Sequence, residues 1–422
     1  MPPVSYYAAT AHASPPRPAL AGDVEADVCV IGAGIAGCAT ALELAERGYR
    51  VVLLEAERVG AGASGRSGGQ AIFGFGTSQD KLVSLAGRDA ARAMWDVSIE
   101  ALHWLRERVQ RHHIDCDLHW GHLHAALKPR QRDDLRRLQD ELARDYDYHS
   151  PRFLEREELR GWLATERYVA GLYDPQSGHL HPLNYTLGLA AAAEAAGARI
   201  CETSAVTTIE PGSIACVRTA QGSVRARYVV STRGGCVAGL RLPRDWYIMP
   251  VGTYVAATEV LGVERIRALV RDNVAVADVN FALDYFRCSA DHRLLFGGRV
   301  SYSGLHEHDD GAATRARMLK VFPQLADARL AYVWGGYVDI TMNRAPDFGR
   351  IGGNLYYLQG FSGHGIALAG MAGRLAAEAI AGQAERFDLF SHIPHGVFPG
   401  GRALRTPALV LAMLWFRLLD LL

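Results

Sequence analysis

The segment 27–55 constrains this chain more than any other. Residues 27–31 (DVCVI) form a short β-branched run that reads as a strand. Gly32-Ala33-Gly34-Ile35-Ala36-Gly37 follows at once, then a small and aliphatic helix over 38–47 that stops at Gly48. A second apolar strand, 50–54 (RVVLL), closes on Glu55. Strand, glycine turn, helix, strand and acid in that order make a βαβ unit that binds a dinucleotide. Gly32 permits the tight turn, Gly34 lets the backbone approach a pyrophosphate, and Gly37 lets helix and strand touch. The first-turn amides, with Ile35 and Ala36 among them, and the helix dipole then face the phosphates. Glu55 lies 18 residues beyond Gly37, placed with Ala56 beside it to accept hydrogen bonds from ribose hydroxyls. An acid there disfavours a 2′-phosphate. A glycine turn with no ligand is the ordinary alternative, and this context argues against it.

The next segment separates FAD from NAD. Residues 60–70 read GAGASGRSGGQ, with five glycines, no apolar pattern and one arginine. Such a loop can run its backbone along an extended cofactor, as a long FAD requires. Elsewhere the pattern alternates. Helical periodicity runs over 81–111 and a highly charged helix over 130–146, with an Ala-rich helix at 183–196. Strand-like runs recur at 199–201, 205–209, 214–219, 224–230, 251–259, 294–298 and 354–358, the last followed by a glycine turn and a helix from 365 to 381. Dinucleotide-type elements therefore sit at both ends and around 225–235, and the remaining domain is built from inserted segments. The expected division gives 25–80, 152–238 and 334–386 to the cofactor domain. It gives 81–151 and 239–333 to a substrate domain, and 387–422 to a tail. At 422 residues and 49% hydrophobic, the chain has apolar material for two such domains. Its 45 basic and 45 acidic residues balance, with no basic tract, which argues against nucleic acid as a partner.

At this point the chain resembles the D-amino-acid oxidase family of FAD-dependent oxidoreductases. The resemblance is carried by SYYAAT (5–10), ADVCVIGAGIAG, VVLLEAERVGAGASGRSGGQ, HIDCDLHWGHLHAAL, GHLHPLNYTLGLA (178–190), LDYFRCSADHRLLFGGRV (283–300), YYLQGFSGHGIALAGMAGRLAAEAI (356–380) and SHIPHGVFPGGRALR. It runs from near residue 5 to past 405; the SYYAAT arm, HLHPLN and FPGGR are its most specific parts. The resemblance implies an α/β fold, with a glutathione-reductase-like FAD-binding domain and an inserted antiparallel-sheet substrate domain that roofs the flavin. It also implies that Gly32, Gly34, Ile35, Ala36, Gly37, Glu55, Ala56, Ala63, Ser64, Arg66, Ser67, Gly68, Gly69 and Gln70 contact FAD. Val206 would lie near the adenine. Gly360, Ser362, Gly363, His364, Gly365 and Ile366 would cover the pyrimidine side, where a helix N-terminus stabilises negative charge on the reduced ring.

Two absences carry information. Relatives with covalent flavin have a Cys near the position of Ile340, and none stands here, nor a His in 62–70, so FAD is expected to be noncovalent. The family's amino-acid oxidases carry a carboxylate-binding Arg where Val338 stands. An amine without a nearby carboxylate is therefore favoured, gamma-glutamylputrescine or a related polyamine derivative, oxidised to an imine and then to aldehyde and ammonia. Reduced flavin would pass its electrons to O2 or another acceptor. The alternatives are a secondary or N-methyl amino acid, with Arg344 substituting for the missing Arg, and a flavin subunit of a membrane-linked dehydrogenase.

A cationic amine needs anionic or aromatic reception. The candidates are His364, Tyr337, Asp284, Tyr285 and Trp334, with Asp278 and Asp339 behind them and Arg287 for a distal carboxylate. Core packing, turn and salt-bridge roles are the ordinary alternatives. Cys116, His119, His122 and His124 are close in sequence but fit no zinc spacing, so no metal is expected. On a strand, 122 and 124 share a face. The seven cysteines, at 29, 38, 116, 201, 216, 236 and 288, read as reduced thiols in the cytoplasm. The first 22 residues lack a signal-peptide pattern and read as an extended arm. The apolar tail 406–422 is too short to span a bilayer and reads as a docking or homo-oligomer contact, with a membrane surface as the alternative.

Overall fold

The chain, described from a computed structural model over residues 4–234, 240, 242–281, 283–301 and 311–398, is built on two sheets. The first sheet runs 347–351, 355–359, 222–231, 22–31, 51–54 and 199–201. Its five strands from Leu355–Gln359 to Arg199–Cys201 are parallel, and Asp347–Ile351 closes one edge as an antiparallel hairpin. Parallel strands buried on both faces need apolar runs, and Val28–Ile31 and Val51–Leu54 supply them. A ribbon of Val206–Glu210 and Ala215–Thr219 covers one face through Val217, Leu20 and Cys201.

Helices cover the other face. Ile35–Glu46 is buried along nearly its whole length, so it carries small residues all round. A Cβ on Gly373 of helix Gly365–Ile380 would lie 2.8 Å from the Ala36 carbonyl oxygen and 2.7 Å from the Thr40 nitrogen. The two helices therefore meet backbone to backbone. Arg88–Arg111 lies against the same pair, its Trp104 ring filling the space over Gly370. Glu43 is buried between them and accepts from Trp104 Nε1 at 2.9 Å and Arg108 at 2.7 Å.

The second sheet runs 330–340, 249–258, 294–301, 285–288, 275–278, 119–126, 170–179 and 70–71. It is antiparallel except where Ala275–Asp278 pairs with His119–Ala126. One face packs on helices Val263–Leu269 and Ala312–Val321 through Leu123, Phe286, Phe296 and Phe322. The other face carries the row His124, Ala277, Tyr285, Gly297, Val255 and Trp334, consecutive cross-strand partners that share one side.

Three expectations change. Residues 70–71, 152–155 and 170–179 pair into the second sheet, and 330–340 stays in it, so the expected limits at 152 and 334 cut across a sheet. Helix Arg88–Arg111 packs with the first sheet's helices, although 81–151 was assigned to the substrate domain. The N-terminal arm opens as a helix, Tyr6–Thr10, capped by Ser5 Oγ and with both tyrosines buried, where an extended arm was expected. The tail 406–422 and Cys236 lie outside the described residues.

Candidate active site

The glycine turn behaves as its spacing requires. Gly32 has φ +99°, open to glycine at little cost. A Cβ on Gly37 would lie 1.8 Å from the Gly32 carbonyl oxygen, and one on Gly34 would lie 2.7 Å from Ser64 Oγ. That same Ser64 hydroxyl accepts from the Ile35 amide at 2.9 Å, so the 60–70 loop sits on the helix N-terminus. Glu55 closes the turn. Its carboxylate accepts from Ala33 N at 2.6 Å and Glu57 N at 2.9 Å. Burial pushes its carboxyl up while these amides pull it down. Ala56 is exposed beside it, Ala63 opens a short 3-10 turn at the loop, and Val206 stands half-buried on the ribbon.

The loop then crosses onto the second sheet. Tyr285 lies over Gly68 and Gly297, whose Cβ atoms would meet its ring at 2.5 and 2.2 Å. Burial pushes the Tyr285 phenol up to about 12, so it stays protonated. Arg66 Nε donates to the Gly335 carbonyl at 2.6 Å, and Trp334 Nε1 donates back to the Arg66 carbonyl at 3.0 Å. Gln70 Nε2 donates to Val276 O at 3.0 Å while its Oε1 lies 3.3 Å from His122 Nε2. Gly69 O accepts from Leu180 N at 2.8 Å, within the HLHPLN segment.

The third wall is the turn before helix Gly365–Ile380. Gly360, Ser362 and Gly363 all take positive φ, +73°, +50° and +96°. Sparsely populated backbone persists only where surroundings enforce it, and it gathers at ligand sites. His364 is the N-cap residue, and its Nδ1 is buried with no hydrogen-bond partner. Burial, then the charges of Arg344 and His124, brings the His364 imidazole down to about 3. Ile366 is buried in the helix core behind it.

His122 and His124 join this wall, which the sequence left unassigned. Their rings are 4.6 Å apart, His122 Nδ1 is also unpartnered, and His122 senses His364 electrostatically. Burial brings His124 down to about 4, and Asp174 alone pushes it the other way. The alternation H-x-H on a strand is the signal that could have found them. His119 goes elsewhere, stacking on His179, and Cys116 is buried in the first core.

Five expected substrate contacts are corrected. Asp284 is ion-paired to Arg317 of helix Ala312–Val321 at 2.6 Å, on the face away from Tyr285. Asp278 is buried near it, and burial, then Asp284, pushes its carboxyl up to about 7. Trp334 is fully buried against Tyr7, with its N–H already used. Tyr337 is 56% exposed, and alternation turns it from the side on which Gly336 meets Arg66. Arg287 is fully buried and donates to Gly68 O at 3.0 Å, Cys288 O at 3.1 Å and Tyr7 Oη at 3.1 Å, out of reach of a distal carboxylate. Asp339 lies against Gly234, and its carbonyl accepts from Ser362 N at 3.0 Å. Val338 pairs with Val251, and Ile340 with Met249.

These residues fit an FAD. Ser67 Oγ and His364 Nδ1 are buried without a partner, helix Ile35–Glu46 opens against loop 60–70 through Ser64, and helix Gly365–Ile380 opens directly from the 360–364 turn, so each helix N-terminus lies beside one of the loops.

Comparison with known proteins agrees. The family model described as FAD dependent oxidoreductase matches residues 27–379. The chain is 41% identical to "Gamma-glutamylputrescine oxidoreductase" of Escherichia coli, over 99% of this chain and 98% of that protein. It is 40% identical to "Probable oxidoreductase OrdL" of Haemophilus influenzae, over 99% and 97% respectively. Glycine oxidase from Geobacillus kaustophilus superposes with a TM-score of 0.70 at 22% identity, covering 85% of this chain and 95% of that one, which speaks to the fold. No helix among the described residues is long and apolar enough to cross a membrane.

Proposed function

Because the chain belongs to the family of FAD dependent oxidoreductases, we propose that it oxidises gamma-glutamylputrescine or a related polyamine derivative at the carbon bearing its amine. The end-to-end similarity to a protein named for that substrate carries the reading. When bound, FAD takes up the hydride equivalent that this carbon loses. The imine left on the substrate adds water and releases aldehyde and ammonia.

The chain's own groups suit an amine that reacts as the free base. His124 and His364 are held neutral and so offer lone pairs to N–H groups. Tyr285 stays a protonated donor at the loop. Arg344 lies close enough to depress His364, and stacks 5.1 Å over the Phe281 ring. A guanidinium there favours a substrate whose far end carries a carboxylate, as a gamma-glutamyl group does. The same observation keeps a secondary or N-methyl amino acid as the second reading.

Anaerobic flavin bleaching separates the two. The yellow protein is mixed in turn with gamma-glutamylputrescine, putrescine, sarcosine and D-alanine while flavin absorbance is followed. Rapid bleaching by the first alone is the expected result. Bleaching by sarcosine instead establishes the N-methyl amino-acid reading, and bleaching by D-alanine alone or indifference to all four refutes both.

A further inference from the structure

A buried arginine behind the 60–70 loop has no carboxylate in ion-pair contact among the described residues. Arg287 is 3% exposed. Its guanidinium touches two carbonyls, of Gly68 and Cys288, the Tyr7 hydroxyl at 3.1 Å and His179 Nδ1 at 3.5 Å. No carboxylate pairs with it among the described residues. None of these contacts supplies negative charge. Burial pushes the Tyr7 phenol up in spite of the guanidinium, so it stays neutral. Burial, then Arg287 itself, holds His179 well below the ordinary range, so it is neutral too. Asp117 feels the guanidinium only at a distance, and burial and Asp115 leave its carboxyl raised overall. A buried charge is expensive unless something of opposite sign answers it.

The hydrogen bonds show what the guanidinium holds. Arg287 Nε holds the carbonyl of Gly68, the residue on which Tyr285 rests. Gly69 is locked next to it, since a Cβ there would meet Leu180 O at 2.3 Å and Arg287 itself at 3.2 Å. The N-terminal helix completes the lock. Tyr7 packs on Trp334 at 5.2 Å and on His181 at 4.9 Å, Thr10 Oγ1 lies 3.1 Å from His181 Nε2, and Trp334 holds the Arg66 carbonyl. The SYYAAT and HLHPLN segments thus meet on the carbonyls of the cofactor loop.

We propose that Arg287, clamped by Tyr7 behind the Gly68–Gly69 turn, is a positioning residue for the cofactor: it holds the turn, and its positive charge is balanced across that turn by the anionic FAD. It rests on the cofactor of the family and is independent of which amine is oxidised.

The test uses the full-length enzyme and two readouts other than turnover, the FAD dissociation constant of the apoprotein and the two-electron midpoint potential of bound flavin. Arg287→Met is expected to weaken FAD about tenfold or more, or to lower the potential by about 30 mV for each tenfold preference lost for reduced flavin. Arg287→Lys, which keeps the charge, is expected to recover most of either effect. A moved potential places the charge at the reacting ring, and a moved dissociation constant alone places it at the diphosphate. Tyr7→Phe removes one hydroxyl and gives a second test where Arg287→Met does not fold, with FAD weakened by about two- to fivefold. Equal effects of Lys and Met, or neither quantity moving in any variant, overturn the proposal and leave Arg287 a neutral-equivalent scaffold.

Discussion

Gly37→Ala is the sharpest perturbation of the cofactor turn. The added carbon would lie 1.8 Å from the Gly32 carbonyl oxygen and 2.8 Å from Thr232 Oγ1. Real Cβ contacts almost never fall below 3.0 Å, so helix Ile35–Glu46 must retreat by at least 1.2 Å from the turn. Its room to move is limited, because on an adjoining face the Ala36 carbonyl and Thr40 amide pack on Gly373 of the next helix, 2.7–2.8 Å from where a Cβ would stand. Overpacking of a closed core costs about 1–3 kcal/mol, and a contact confined on two faces belongs at the upper end. The displacement also breaks the 2.9 Å bond from Ile35 N to Ser64 Oγ, which registers loop 60–70 on the helix. If about 3 kcal/mol falls on the binding-competent form, FAD weakens by about two orders of magnitude. The assay is apoprotein titration with FAD, read by flavin fluorescence, beside thermal unfolding with and without cofactor. Gly62→Ala is the control, because that Cβ meets nothing within 4 Å and the backbone is already extended. Wild-type affinity in Gly37→Ala, or an equal loss in Gly62→Ala, would refute the steric argument.

Two further outcomes follow from the same geometry. Without cofactor the Glu55 carboxyl is raised by burial, so its contribution to folding is present at low pH and fades as pH rises through its folded value. Ribose hydroxyls donating to Glu55 favour the charged form, so FAD binding expels a proton. FAD affinity should then rise with pH from the ordinary carboxyl range toward neutrality, and Glu55→Gln should flatten that slope; an unchanged slope in the variant removes Glu55 from the ribose site. His364→Ala should retain FAD and slow anaerobic flavin reduction about tenfold, equivalent to about 1.4 kcal/mol of barrier, and unchanged reduction rates take His364 out of the site.

What was legible in the sequence was what is local in it. The turn at Gly32–Gly37, Glu55 and the 60–70 loop lie within 40 residues, and their roles follow from spacing and from glycine sterics. Two strands of the second sheet, near 251–259 and 294–298, were legible and the family resemblance implied an antiparallel sheet, but its pairing was not, because its strands come from 70–71 to 330–340 and pair across long separations. Neighbours in sequence were therefore treated as neighbours in space. Asp284 and Tyr285 were grouped as substrate contacts, yet one is bound to Arg317 behind the sheet and the other lies on the loop in front. Tyr6–Thr10 is too short to read as a helix from periodicity, and what fixes it is tertiary burial of Tyr6 and Tyr7 against Tyr332 and Trp334.

The two faces of that sheet divide charge in a way that bears on the chemistry. Behind it stand Asp278 and Asp284, close to Tyr168 and Arg317. In front, the row through His124 and Tyr285 carries neutral imidazoles and a protonated phenol, with Arg287 and Arg344 as cations. A carboxylate in front would hold an incoming amine as its ammonium, whose lone pair is tied up and which cannot give a hydride from the adjacent carbon. It would also repel negative charge arriving on the cofactor. Neutral acceptors beside cations do the reverse, since they accept N–H groups of the free amine and disfavour its protonated form. Asp278 and Asp284 were attractive as amine receivers because their sign opposes the substrate's in solution. In the proposed reaction the amine is uncharged, and a site that must pass electrons to an anion-stabilising centre gains by keeping Asp278 and Asp284 behind the sheet; Asp174, the cross-strand partner of His122, is engaged by the Tyr148 and Ser150 hydroxyls.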